Sequence, residues 1–360
     1  MRVFLTELVI AENIFASEKS EISLRSEREQ PTGARADRTV AGKGFRRRVH
    51  GDFVTYSPAV TASLVNGGFV HGTALSSIDT AMVLYKRDMD RRIAEGSFRG
   101  ILNPGAGEGM FTLTRYDPAP DLAALVDRHW AIRWDLRGRS PHAQETLPYP
   151  QVNLVFGTQR PGLHGVGTKR FVAALEGEGW VIGTKFRAGG FRPFWRAPIR
   201  ELTDHSLTVI EAFGDEGAAI DGAVHAAHDD AERIALIEDF LRACRLELDD
   251  DAALAARIVL LAQSEPSIAR VSELALRAGV SVRRLQRVFS SHVGVSPSWV
   301  IRRFRVQEAA DRVAQGNVAD WPSLAGQLGY CDQAHFIREF KAQIGRTPGE
   351  YATLCATSKS

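Results

Sequence analysis

The chain has 360 residues, 44% hydrophobic and 24% charged, enough for two or three ordinary domains and too many for a single small module. Cys244, Cys331 and Cys355 lie far apart with no CxxC pair, which excludes a disulfide framework and a cysteine-based zinc site and fits a reducing, cytoplasmic compartment. The net charge of +2 conceals a separation: residues 211–251 carry thirteen acids against three arginines, whereas 281–305 carry six arginines and no acid. Only the second stretch has the composition of a phosphate-facing surface.

Residues 1–100 alternate charged clusters such as Arg46-Arg47-Arg48 with short apolar runs and glycines. No helical or strand period is sustained there, and a poorly patterned extension is expected. Glu7 and Glu12 break the apolar start before a signal-peptide core forms. Asn66, Gly67, Gly68, His71, Gly72 and Asp79 fall inside the apolar stretch 59–85 and argue against a membrane span.

Residues 101–214 read as a β-rich domain. Runs at 111–116, 130–136, 152–156, 164–171 and 179–186 are rich in β-branched and aromatic residues between Gly and Pro breaks, which suggests a small sandwich or barrel with helical pieces near 121–128 and 207–213. Trp130, Trp134, Trp180 and Trp195 are candidate walls for a small-ligand cavity. Lys185, Arg187 and Arg192 around Gly189-Gly190 read first as a turn with exposed charges and second as a backbone nest for an anion. No HxH pair occurs in this region, so no metal is expected. Residues 215–252 form an acidic helical connector, whose stripe of Ile234, Ile237, Leu241 and Cys244 is expected to pack between domains or against a second copy.

From 253 to 355 the pattern is helical throughout, with seven helices expected between breaks at Pro266, Gly279, Gly294, Gly316, Gly329 and Gly345. Residues 271–289 make two short helices about Gly279, with Leu285 and Phe289 inward. Ser281 is the N-cap of the second helix and leaves Arg283, Arg284, Gln286 and Arg287 outward. Cations near a helix N-terminus cost roughly 0.3–1 kcal/mol each against the macrodipole, a sign that a bound polyanion reverses. The layout returns at 321–341, where Asp332 is the cap, Phe336 and Phe340 fill the core, and Gln333, Ala334, Ile337, Arg338 and Lys341 offer the outward positions. Two such units close together are much less readily an accident than one. The helix between them, 298–315, spans roughly 27 Å, approaching the ~34 Å repeat of B-DNA. Arg305 on this helix is expected to position a phosphate or to hold the two units together.

Ala325, Gly329-Tyr330, Asp332, His335-Phe336, Arg338, Phe340-Lys341, Gly345, Thr347-Pro348 and Tyr351 together resemble the C-terminal signature of the AraC/XylS family of bacterial transcription regulators, and 279–297 resembles its first helix-turn-helix. The resemblance covers about 253–355. It implies an α+β chain with a β-rich, often cupin-like, N-terminal sensor domain ahead of an all-α domain with two helix-turn-helix units. The implied function is sequence-specific binding of double-stranded promoter DNA, activation through RNA polymerase, and control by a small effector or by homodimerisation through the β-rich domain. Arg283, Gln286 and Arg287 match the first recognition helix; Gln333, Ala334 and Arg338 match the second, where Ala334 is shorter than the polar residues often present. The segments 145–156 and 183–194 resemble, less specifically, the sensor domain of a subgroup. No catalytic group, cofactor, metal or membrane partner is implied. The rival reading is a DNA-modifying or repair enzyme with the same DNA-binding domain behind a cysteine-rich zinc module; no cysteine precedes Cys244, which counts against it.

Overall fold

A computed structural model describes residues 46–49, 52–55, 100–244 and 250–358. The chain divides into two units, Met1–Phe69 and Val70–Ser360. Of the first, two antiparallel strands are described, β1 (Arg46–Val49) and β2 (Asp52–Thr55), with Val49 opposite Asp52. The rest of the expected extension, up to residue 99, lies outside the described residues.

In the second unit, six antiparallel strands form one sheet: β3 (Thr112–Tyr116), β4 (Val126–Asp135), β6 (Asn153–Gly157), β7 (Gly162–His164), β9 (Glu178–Phe186) and β10 (Ser206–Leu207), in the order β10-β7-β6-β9-β4-β3. Strands β5 (His142–Thr146) and β8 (Phe171–Leu175) pair as a separate ribbon. Alternation along a strand sorts the side chains. Ile182 and Phe186 point into the main core, while Gly179 and Gly183 sit under the indoles of Trp134 and Trp130, where a Cβ would come within 2.2 and 2.3 Å. Trp180 stands opposite Arg133, on the other face from Trp130 and Trp134, and Trp195 packs with Trp180 against the main core. Trp134 and Trp180 border one open crevice of about 610 Å³ at the end of the strands, but Trp130 and Trp195 do not line it, which corrects the expectation of four walls.

Two further expectations are corrected here. The run 164–171 is not one strand: it ends β7 and begins β8 in different sheets, and between them Gly165 passes so close to Leu202 that a Cβ would meet its carbonyl oxygen at 1.7 Å. The piece near 121–128 is a single 3-10 turn, Pro120–Leu122, before β4 starts at Val126.

Helices α1 (Val209–Phe213), α2 (Asp215–Ala226) and α3 (Asp230–Cys244) cover one face of the sheet. Ile220, Val224, Ile234, Ile237 and Leu241 share a core with Leu154, Phe156, Ile182 and Phe186. The acidic segment is thus the lid of the β core rather than a connector. Each fully buried isoleucine or leucine in it contributes about 1.5–3 kcal/mol over leaving it exposed. At the centre, His129 bridges Thr184 Oγ1 at 2.9 Å and Glu238 Oε1 at 3.2 Å, and the Ala119 amide donates to the same Glu238 oxygen at 2.8 Å. Strand, loop and helix are pinned together by one buried polar group, as burial of a carboxylate requires.

The C-terminal region holds seven helices among the described residues, as its periodicity predicts: α4 (Asp250–Ser264), α5 (Val271–Arg277), α6 (Val282–Val288), α7 (Pro297–Gln315), α8 (Trp321–Gln327), α9 (Gln333–Ile344) and α10 (Pro348–Thr357). Helix α7 serves two cores. Val300, Ile301 and Phe304 pack with α4 to α6, and Val306, Ala309, Ala310 and Val313 pack with α8 to α10.

The β-rich part is fastened to these helices at several points. Tyr149 meets Phe304 edge-on with centroids 5.9 Å apart, and Thr203 Oγ1 donates to the Gly294 carbonyl at 2.7 Å. Gly189, at φ +81°, lies so near α4 that a Cβ would come within 2.7 Å of the Ala252 carbonyl oxygen. The Gly189-Gly190 turn is therefore a packing surface, and the anion-nest reading is corrected. No helix of the described residues is long and apolar enough to cross a membrane.

Candidate nucleic-acid interface

In the first helix-turn-helix unit, Gly279 adopts φ +69° between α5 and α6, a backbone conformation that an L side chain resists. Ser281 Oγ accepts the Arg284 amide at 3.2 Å, closing the N-terminus of α6. Leu285, Val288 and Phe289 are buried; Arg283, Arg284, Gln286 and Arg287 are all exposed. Beyond α6 the chain widens into a π turn, Phe289–Val293, which ends at Gly294 in the left-handed region. Asp251, on the first turn of α4, reaches two of the exposed arginines, Arg284 at 3.1 Å and Arg287 at 4.0 Å.

The second unit repeats the layout. Gly329 turns at φ +71°, and Asp332 Oδ1 accepts the His335 amide at 2.6 Å to cap α9. Ala334, Arg338 and Lys341 are exposed, whereas Gln333 and Ile337 are half-buried. Phe336, Phe340 and Ile344 are fully enclosed. The Tyr330 hydroxyl donates to Glu339 at 3.0 Å; burial and that carboxylate push its pKa up.

Arg305 departs from its expectation. Its side chain is 4% exposed, and the guanidinium lies 3.7 Å from the centroid of the Tyr330 ring. A cation so placed holds α7 to the second unit and does not reach a phosphate. The DNA-contact part of the Arg305 expectation is corrected; the strut part describes its position.

Several residues here were not singled out from sequence for these contacts. Arg170, just ahead of β8, donates to the Ile344 carbonyl at 3.0 Å, at the C-terminal end of α9, and to Glu145 Oε1 at 3.0 Å. Glu145, on β5, also accepts two bonds from Arg346, at 2.7 and 3.3 Å, which raises the Arg346 pKa. Cations suit the negative end of a helix, and a forked arginine suits a carboxylate. The ribbon thus grips the end of the second outward-facing helix. The only sequence signal was Glu145 itself, in the stretch resembling a sensor domain.

Two family models match the chain: a domain of unknown function, DUF6597, over residues 114–208, and a helix-turn-helix domain over residues 274–353. The HTH-type transcriptional regulator GlxA of Rhizobium meliloti is 33% identical over 97 residues, 26% of this chain and 30% of that protein. A Streptomyces lividans protein described as an AraC-like transcription regulator is 35% identical over 81 residues, 22% of this chain and 26% of its own length. The chain spans about a third or less of the length of the curated relatives it matches. Among solved structures, ToxT of Vibrio cholerae aligns with a TM-score of 0.30 at 12% identity, covering 68% of this chain and 98% of ToxT.

Proposed function

We propose, on the premise that this chain belongs through its C-terminal domain to the AraC/XylS family of transcription regulators, that it binds promoter DNA with α6 and α9 in successive major grooves. One observation carries the reading: a single 19-residue helix gives opposite halves to two helix-turn-helix units, each turning a cation-bearing helix outward. At 1.5 Å per residue α7 is about 28 Å long, close to the ~34 Å between successive major grooves on one side of the duplex.

In this reading Arg287 and Gln286 read base edges in one groove, and Arg338 and Gln333 read them in the next. Arg283, Arg284 and Lys341 face phosphates. Ala334 offers a methyl group, suited to the C5-methyl of thymine. The β-rich domain receives a small effector or pairs with a second copy, RNA polymerase is the downstream partner, and the Glu145–Arg346 contact transmits the state of the ribbon to α9. The matched relatives are transcription regulators, which favours regulation over modification of DNA.

Genome-wide mapping of bound sites followed by footprinting tests the proposal. Protection is expected in two patches about 10 bp apart on one face of the duplex, with an operator preferred over bulk DNA by ~10³ or more. Equal affinity for operator and random DNA overturns it.

A further inference from the structure

The six-stranded sheet has a second face, turned away from α1 to α3, and one end of it is crowded with positive charge. Lys185 on β9 stands directly opposite Arg128 on β4 and Asn153 on β6. Arg115 on β3 pairs with Trp130, two residues along β4 from Arg128. Cross-strand partners and alternate residues share a face, so three cations from three neighbouring strands sit on one patch. Like charges so placed destabilise a sheet.

The Lys185 ammonium lies 3.9 Å from the centroid of the Tyr149 ring, and it makes no hydrogen bond or ion pair among the described residues. Burial first, then the guanidiniums of Arg128 and Arg115, draw its pKa down to about 8 against the pull of Asp127. Burial and Arg128 lower that of Arg115 as well. Asp127 itself is turned to Arg128 at 3.0 Å and Arg187 at 3.8 Å. Farther along the row, His164 pairs with Asn153; its ring nitrogens are engaged by Ser206 Oγ at 2.8 Å and the Arg160 carbonyl at 2.9 Å, and burial holds its pKa low. Lys185, Arg115, Arg128, Asn153 and Tyr149 are all half-buried, so the patch is reachable from solvent. The Gly189-Gly190 turn, packed on α4, has no share in it.

We propose that this patch binds the phosphate group of a small phosphomonoester, with Lys185, Arg128 and Arg115 on its oxygens and the organic body along the Trp130 ring. Three cations around one shared carboxylate call for a dianion, which a phosphomonoester is near neutral pH and a simple carboxylate is not. Guanidinium forks suit phosphate oxygens, and the ammonium adds a point charge. Trp130 is half-buried and lies over Gly183, two residues before Lys185, so a ring borders the charges. A patch half-buried beneath Tyr149 favours a small molecule over the DNA backbone, which is an outcome of the test. The inference rests on the reading that the β-rich part receives a small effector, and it names that effector's chemistry.

The test is calorimetric titration of the full chain, without DNA, at fixed ionic strength and about pH 7.5, with phenyl phosphate, inorganic phosphate and benzoate as probes. Phenyl phosphate is expected to bind one-to-one with a Kd of about 0.5 mM, inorganic phosphate about threefold and benzoate about tenfold more weakly. Lys185→Met should weaken phenyl phosphate at least about tenfold, with a thermal melt no lower than the parent's, because it removes one of three like charges. Arg115→Gln supplies a second reading, with a loss of about threefold. A bound anion holds the Lys185 amine protonated, so affinity should fall about tenfold between about pH 7.5 and 9 in the parent and stay level in Lys185→Met. Absence of phenyl phosphate binding up to about 20 mM, benzoate as tight as phenyl phosphate, or binding indifferent to both substitutions overturns the proposal. So does displacement of phenyl phosphate by a random-sequence duplex, which would make the DNA backbone the occupant. Phenyl phosphate that binds as expected yet leaves operator affinity unchanged sinks the effector reading and leaves the site standing.

Discussion

The first helix-turn-helix unit turns four long polar side chains outward from α6, Arg283, Arg284, Gln286 and Arg287, whereas α9 of the second exposes Ala334, Arg338 and Lys341 and half-buries Gln333. Their attachments differ in the same sense. Two of the outward arginines of α6, Arg284 and Arg287, meet Asp251, a residue of its own helical domain, while Arg170 holds the C-terminal end of α9 and Glu145 holds Arg346 just beyond it, both from the β-rich part. The first unit is rich in charge and also meets the β-rich part, at the turn after α6, where Thr203 Oγ1 donates to the Gly294 carbonyl and Arg200 to Ser290 Oγ. The second is poorer in charge and meets the β-rich part through arginines at and beyond the C-terminal end of α9. The comparison teaches that similar layouts can be fastened in different ways, the first unit by hydrogen bonds at the turn after its outward helix and the second by arginines at the end of its own.

The largest effect should come from the core that holds α9. Phe340→Ala is expected to destabilise the protein by about 3–5 kcal/mol, read by chemical denaturation, while Arg338→Ala on the same helix stays within about 0.5 kcal/mol of the parent. If both cost alike, α9 does not separate core from face as described. Next come the recognition contacts. Arg287→Ala should relax base preference by about 1–3 kcal/mol at a few positions in one half-site, and Arg338→Ala should do so about 10 bp away; footprints that change at the same base pairs would break the division of labour.

Smaller again are the caps. Ser281→Ala and Asp332→Ala should each cost about 1 kcal/mol in thermal or denaturant stability, and equal costs would sharpen the view that the two turns are equivalent in backbone chemistry. The smallest expected effect is at Asp251. Its carboxylate reaches Arg284 and Arg287 and, on the proposed reading, would compete there with phosphate, so Asp251→Asn should strengthen DNA binding by less than about 1 kcal/mol, most visibly at low salt. Weaker binding would mean that the pair orients the arginines.

The helical domain is legible in the sequence because its stops are local. Gly279, Gly294, Gly316, Gly329 and Gly345 take positive φ at its turns, and Ser281 and Asp332 cap the helices read from the pattern. The β-rich part is less legible because its breaks are tertiary. Nothing near Gly165 announces that Leu202 passes against it, and the apolar stripe of α3 does not say which surface it covers.

The candidate site divides the same way. Exposure of Arg283, Arg284, Gln286 and Arg287 follows from one helix with one buried face, a case that periodicity handles well. Arg303 and Arg305 stand in the same arginine-rich stretch as Arg302, yet only Arg302 is exposed. Helix α7 is packed by two helical cores and by the β-rich part, so it has no single polar face. Composition cannot separate arginines on such a helix, and neither can a helical wheel.

The grip on α9 bears on how this protein can be cut. Leu102 and Leu147, both from the β-rich part, are buried in the same core as Phe336 and Phe340. A fragment starting at Asp250 would leave these two leucines behind and strip the end of α9 of Arg170. It would expose an apolar scar beside α9, whose C-terminal end would be left frayed. The helix-turn-helix region of this chain is therefore a poor cassette for domain fusions, and an excision point upstream of residue 100 would preserve what a cut at 250 removes.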